Sequence, residues 1–111
     1  MQIKFRGKDI ETGEWRYGYY FCVLGQHKII NSSGQEYFVD EDSVGQFTGI
    51  SDKKGDEIYD GDIVMCYTNN GDYVYTLPRE VKFQEFCNEM WDNTNCEVIG
   101  NVFDNSELLT Q

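Results

Sequence analysis

The chain has 111 residues, with 20 Asp and Glu against 9 Lys and Arg, and a formal net charge of -11. At this length we expect one domain over residues 1–111. Aromatic residues make up 15% of the sequence, which supplies large rings for a core and excludes a disordered acidic tail. The acidic balance argues against binding to nucleic acid or to an anionic membrane, because both present negative charge to the protein.

The ends of the chain and its cysteines indicate the compartment. The N-terminus lacks the apolar segment of a signal peptide, and no stretch reaches membrane-spanning length. We therefore expect a cytoplasmic protein with reduced thiols. No two cysteines form a C-x-x-C pair, so a zinc knuckle or thioredoxin-type site has no support. The sequence leaves open whether Cys87 and Cys96 approach each other. The four cysteines are Cys22, Cys66, Cys87 and Cys96.

Alternation with a period of two residues begins near the N-terminus and predicts a β-hairpin. A strand containing Ile3 and Phe5 precedes a turn at residues 11–14, and the run 15–23 follows it. Every odd position of that run is large and apolar, so these side chains share one face of a strand. We predict that this face packs in the core as a stripe formed by Trp15, Tyr17, Tyr19 and Phe21.

Further short strands are predicted at regular spacing along the rest of the chain. They fall at residues 28–30, 37–39, 46–50, 62–68, 73–77, 81–86 and 97–103, and turn signals such as Asn70-Gly71 separate them. Helical character is limited to single turns at residues 40–43 and 105–109. Many short strands with almost no helix predict an all-β fold, in the form of a small barrel or sandwich.

No arrangement of residues predicts catalysis or a cofactor. His27 is the lone histidine, and no nucleophile motif or phosphate-binding glycine loop is present. An EF-hand aligned on Gly61 fails, because Ile58 and Tyr67 fall at its ligand positions. A divalent-ion site at Asp60 and Asp62 stays open, although Asp side chains at turns usually bind backbone amides. We therefore predict no enzyme, no cofactor and no metal.

A second aromatic cluster lies in a segment with weaker periodicity. It is open to two interpretations, an exposed patch that binds a protein partner or a contribution to the core. Its members are Phe83, Phe86, Met90 and Trp91.

The stretch Val44–Val64 resembles the YopX family, whose members are small proteins encoded by bacteriophages and prophages, chiefly of Gram-positive bacteria. The opening residues 3–8 and the closing residues 97–109 are also similar to the family, although Ser106 stands where many relatives have proline. The resemblance implies a mainly β fold with an SH3-like barrel, a bacterial cytoplasm and no catalytic residues. We interpret the central motif as structural, because its glycines suit tight turns; its positions are Gly45, Gln46, Phe47, Thr48, Gly49, Asp52, Gly55, Ile58, Tyr59, Gly61 and Asp62.

Three functions remain as hypotheses. The first is a non-enzymatic protein-interaction module that self-associates or binds an unidentified protein. The second is an acidic mimic of DNA that inhibits or regulates a host nucleic-acid enzyme, since the chain after residue 82 has six acids and no base. The third is a nucleic-acid binder that uses the barrel and residues 1–28, where five bases meet three acids.

Overall fold

The computed structural model describes residues 4–66, 78–83 and 96–109, and the chain divides into two compact units, residues 1–47 and 48–111. The described strand pairs are all antiparallel, and the short helices are 3₁₀ turns at Glu41–Ser43 and Ser106–Leu109. The prediction of an all-β fold is confirmed. The strands are β1 (Phe5–Lys8), β2 (Trp15–Val23), β3 (Gln26–Ile30), β4 (Glu36–Phe38), β5 (Gly45–Ser51), β6 (Glu57–Tyr59), β7 (Asp62–Cys66), β8 (Arg79–Glu80) and β9 (Cys96–Asn101).

The first unit is built from β1 to β4 and the beginning of β5, in the spatial order β4-β3-β2-β1-β5. The predicted hairpin is present, with Phe5 opposite Gly18 and Lys8 opposite Trp15. An isolated antiparallel bridge between Asp9 and Val39 also joins the end of β1 to the end of β4. Strands β1 to β4 therefore curl until their outer members meet at one end. The SH3-like barrel that the family resemblance implies stays a prediction.

The interior of the first unit lies on the side of the sheet that the bridge encloses. Ile29 is fully buried and Val39 nearly so, while the rings of Phe5 and Tyr20 lie 5.8 Å apart. Gly7 faces Val39 so closely that an added Cβ would lie 2.9 Å from the valine Cβ. The sheet can curl this tightly only because β1 has no side chain at that point.

The predicted core stripe of β2 is wrong, because the odd positions of this strand face outward. Tyr17 is 47% exposed, Tyr19 63% and Val23 50%, and Trp15 and Phe21 are only half-buried. The even positions of the strand carry Tyr20, which faces the enclosed side and packs on Phe5. Alternation therefore identified the two faces correctly but assigned the core to the wrong one.

The second unit contains the end of β5, the hairpin partner β6 and a three-stranded sheet in the order β8-β7-β9. Its core is aliphatic and contains the fully buried Ile58, Val64 and Val81, with Ile50 and Val98 packed against them. Branched aliphatic side chains suit strands that are buried on a face, because their χ1 angle is already restricted. Among the described residues of the second unit, Tyr59, Ile63 and Cys96 are buried as well.

Two predicted strands have different boundaries in the structure. The strand predicted at 81–86 is instead β8, which ends at Glu80, while Val81 exchanges backbone hydrogen bonds with Gly61 and Asp62. Strand β9 ends at Asn101, because the Asn105 side chain accepts a hydrogen bond from the Asn101 amide and begins a turn. The predicted strand at 73–77 and residues 84–86 lie outside the described residues.

The described cysteines differ from the expectation of four reduced thiols. Cys22 is free and exposed, whereas Cys96 is disulfide-bonded. Cys87 lies outside the described residues. Among those residues, no helix is long and apolar enough to cross a membrane.

Candidate interaction surface

The side of the first sheet that faces away from its interior carries a row of exposed aromatic and aliphatic side chains. The odd positions of β2 share this side with Lys28 of β3, because Phe21 pairs with Lys28 in the strand register. Lys28 in turn pairs with Phe38 of β4, which is 40% exposed. We call this surface the outer face and define it as Tyr17, Tyr19, Phe21, Val23, Lys28 and Phe38.

A lysine between two phenylalanines organises the centre of the outer face. The Lys28 ammonium lies 4.8 Å from the ring centroid of Phe38 and 6.0 Å from that of Phe21. Its charge also faces Glu36, at 3.6 Å between Nζ and Oε1. Because the ring faces are electron-rich, the ammonium is attracted to both aromatic groups. The outer face is therefore apolar in area but contains one cation and borders one carboxylate.

Cations continue along β1 on the same side of the sheet, and each contacts an aromatic ring. Arg6 and Lys8 lie 4.8 Å and 5.8 Å from the ring centroid of Trp15, and Lys4 lies 5.5 Å from that of Phe47. Arg6 is only 8% exposed. These cations therefore serve as packing partners of aromatic rings in the first unit, in addition to carrying charge.

His27 lies on the opposite side of the sheet, within a polar cluster that the sequence did not predict. The hydroxyl of Tyr20 lies 2.5 Å from His27 Nδ1, and Nε2 lies 3.4 Å from a Glu41 carboxylate oxygen. Cys22 Sγ lies 3.9 Å from the same Nε2. In a catalytic arrangement of thiol, histidine and acid, one ring nitrogen contacts the thiol and the other contacts the acid. Here the acid and the thiol share one nitrogen, so the cluster lacks that order.

Burial is the main reason that the pKa of Tyr20 is raised, and nearby Cys22 and Glu41 add to the effect. The hydroxyl and Nδ1 share one hydrogen bond, whose donor depends on the tautomer of the His27 ring. This hydrogen bond fixes the imidazole between two strands and a 3₁₀ turn. The cluster thus ties Glu41–Ser43 to the sheet of the first unit.

Asp9 stabilises the turn between β1 and β2. Its carboxylate accepts hydrogen bonds from the amides of Glu11 and Thr12 and from Arg16 Nε, the last at 3.0 Å. The Glu11 amide has the largest effect on the pKa of this carboxyl, and with Arg16 it holds the pKa below its ordinary value against the effect of burial. The Arg16 guanidinium also stacks 4.0 Å from the ring centroid of Tyr37.

Asp52 plays a comparable part in the second unit, at the turn after β5. Its two carboxylate oxygens accept hydrogen bonds from three amides, those of Lys54, Asp56 and Val98, each at 2.9 Å. Burial raises the pKa of the carboxyl, but the three amides outweigh burial and hold the pKa below its ordinary value. One carboxylate therefore closes a turn and attaches strand β9 to it.

The rest of the central motif is also occupied by backbone contacts. Thr48 Oγ1 donates to the carbonyl of Ile58 at 2.8 Å, and the buried Asp62 accepts from the Tyr59 amide at 2.7 Å. Asp60 accepts from the amide of Phe83 at 2.9 Å. Gly49, Gly55 and Gly61 have φ near +90°, and Gly45, Gln46 and Phe47 bond to β1. The interpretation of the motif as structural stays a prediction. Hydrogen bonds to the backbone and glycines with positive φ are the features that a structural role requires.

The other predicted sites have different outcomes. In the described ranges, no group of three or more His, Cys, Asp or Glu side chains is placed to hold a metal ion. Phe83 is half-buried, and Phe86, Met90 and Trp91 lie outside the described residues. The sequence did not point to the outer face as a functional surface. Its aromatic alternation was visible, but the side of the sheet that is exposed depends on the Asp9–Val39 bridge, which joins residues 30 positions apart.

The described strands define an all-β protein whose first sheet carries an exposed aromatic face. The chain belongs to the YopX family, because the family model described as YopX protein matches residues 4–110. No curated protein matches the chain significantly.

Proposed function

We propose that the chain is a non-enzymatic interaction module of a phage or prophage, which acts in the bacterial cytoplasm by binding a protein through the outer face. One observation carries this proposal: the large side chains of β2 face away from the interior of their own sheet, with Tyr19 63% exposed. Scattered exposed apolar residues are ordinary on protein surfaces. A contiguous row with aromatic anchors is instead typical of binding surfaces.

The charge of the chain supports a protein partner over a nucleic acid. A protein surface that binds the phosphate backbone of a nucleic acid needs several cations along the binding groove. Lys28 is the one cation of the outer face, and its charge already faces Glu36. The cations at residues 4, 6 and 8, on the same side of the sheet, each pack against an aromatic ring. With a net charge of -11, the whole chain also repels a polyanion. Apolar and aromatic contact is therefore the interaction that this surface offers.

Acidic mimicry of DNA has less support than the total charge suggests. A mimic needs carboxylates that are exposed and spaced like phosphates. Asp9, Asp52 and Asp62 are each about 95% or more buried, and each accepts hydrogen bonds from its own backbone neighbours. These carboxylates are part of the fold and do not contribute to an exposed anionic surface.

Site-directed crosslinking tests the proposed function. A photoreactive benzoylphenylalanine in place of Tyr19 is expected to give discrete protein adducts in bacterial cells that express the chain. The same group in place of Phe103, which is 39% exposed in the second unit, is the control and is expected to give none of these adducts. Adducts with nucleic acid, or equal protein adducts from both positions, would contradict the proposal.

A further inference from the structure

We propose that the partner of the outer face is the outer face of a second copy of this chain, related to the first by a two-fold axis. The inference rests on the proposed function, since it names the occupant of the same surface. Two-fold contacts use one patch on both partners, so the patch must complement itself. The outer face meets this condition in both its apolar area and its charges.

The charges on and beside the outer face are complementary to each other. Lys28 and Glu36 lie on neighbouring strands and already face each other within one chain. Because a two-fold axis reverses one copy relative to the other, Lys28 of one copy can face Glu36 of its partner, and the converse contact forms at the same time. The same geometry places the electron-rich rings of Phe21 and Phe38 beside a lysine that is drawn to aromatic faces.

The rest of the charge also favours this side of the first unit for self-association. Two chains that each carry a net charge of -11 repel each other. Of the seven acids in residues 1–47, only Glu36 is placed by strand register beside the outer face. Contact through this surface therefore keeps acid–acid contacts between the two copies few, and the neighbouring Arg6 and Lys8 already pack on the ring of Trp15.

The size of the outer face indicates a weak dimer. A fully covered aromatic side chain buries about 150–250 Å², so four half-exposed rings and one valine offer roughly 300–500 Å² per chain. A standard stable interface buries about 800 Å² per partner. We therefore expect a reversible association that appears only at high protein concentration, as in transient complexes.

Sedimentation of the purified full chain tests the proposal. Over a concentration series from about 10 μM to about 1 mM, we expect a reversible monomer–dimer equilibrium of the Cys22→Ser chain without reducing agent. The Cys96 disulfide then stays intact, and the exposed thiol of Cys22 cannot link two copies. Raising the salt from about 20 mM to about 150 mM is expected to tighten the dimer, because the repulsion between two chains of net charge -11 outweighs the Lys28–Glu36 contacts and is screened. A contact driven by opposite net charges would instead weaken with salt.

Two pairs of variants locate the contact. Phe38→Ser is expected to weaken the dimer at least tenfold, whereas Phe103→Ser, at nearly equal exposure in the second unit, is expected to leave it unchanged. Lys28→Glu and Glu36→Lys should each weaken the homodimer, because each places like charges opposite one another across the two-fold axis. An equimolar mixture of these two variants should associate more tightly than either alone, which only a two-fold pairing of these positions predicts.

The outcomes separate this inference from the proposed function. A chain that stays monomeric to about 1 mM, or a mixture of charge variants no tighter than its components, overturns the two-fold pairing. If Tyr19 still crosslinks to a different protein in cells, the proposed function stands and its partner is foreign. If Tyr19 crosslinks to nothing, both proposals fail.

Discussion

The described parts of the two units differ in where their aromatic side chains lie and in how many acids they carry. The first unit exposes rings on the outer face and has five Lys and Arg against seven Asp and Glu. The second has an aliphatic core and four Lys and Arg against thirteen Asp and Glu. Asp52 and Asp62 of the second unit are buried as acceptors of backbone amides. Residue type alone therefore does not decide burial in this chain. A tyrosine is exposed where its side of the sheet faces outward, and an aspartate is buried where backbone amides surround its carboxylate.

The largest difference in stability is expected between substitutions on the two sides of the first sheet. Ile29→Ala removes a fully buried side chain and is expected to lower the free energy of unfolding by about 2–5 kcal/mol, because it leaves a cavity. Val23→Ala, on the outer face, is expected to change it by less than about 0.5 kcal/mol. Urea unfolding of both variants measures the difference. A loss for Val23→Ala as large as that for Ile29→Ala would contradict the assignment of the two faces.

A smaller effect is expected at the carboxylate that closes the turn of the second unit. Asp52→Asn replaces a charged acceptor of three amide hydrogen bonds and should cost about 1–3 kcal/mol in the free energy of unfolding. Asp56→Asn, at an exposed neighbour, should cost less than about 0.5 kcal/mol. Thermal unfolding of the two variants checks this. If both variants match the wild type, Asp52 does not stabilise the turn.

Acid should weaken both units through their buried carboxylates, with a more gradual effect. Asp9 and Asp52 have pKa values below the ordinary value. Their stabilisation is therefore present above the unfolded-state pKa of about 3.9 and is lost as the pH falls through the lower folded-state pKa. The free energy of unfolding should decrease as the pH falls below about 5.

Substitution isolates these two contributions from the relief of repulsion that acid also brings. Asp9→Asn and Asp52→Asn should each make the acid dependence of unfolding shallower, and Asp56→Asn should leave it as in the wild type. An acid dependence that is the same in all four proteins would show that neither carboxylate is linked to folding.

The sequence predicted much of the second unit, because its signals are local. Aspartates at residues 52–62 lie within a few positions of amides that they bind, and this local chemistry is the signal on which the structural interpretation of the central motif rests. The attachment of Asp52 to Val98 did not follow from the pattern, since that hydrogen bond joins residues 46 positions apart.

In the first unit, the local sequence pattern was not enough to predict which side of the sheet is buried. Alternation in Trp15–Val23 grouped the rings of the outer face correctly, but both sides of β2 carry apolar groups, and no local signal says which side is enclosed. The bridge between Asp9 and Val39 decides this. Lys28 and Phe38 entered the same surface through strand register, which the sequence could not fix because the hairpin of β3 and β4 lacks a two-residue turn signal.

The exposure of β2 is the central claim, and solvent paramagnetic relaxation of side-chain NMR signals tests it most directly. In dilute protein, a soluble paramagnetic probe should strongly broaden the ring signals of Tyr19 and Phe38 and the methyl signals of Val23. It should leave the methyl signals of Ile29 and Val39 sharp. In concentrated protein, the outer-face signals alone should become protected. Protected Tyr19 and Val23 signals in dilute protein, with broadened Ile29, would contradict the account.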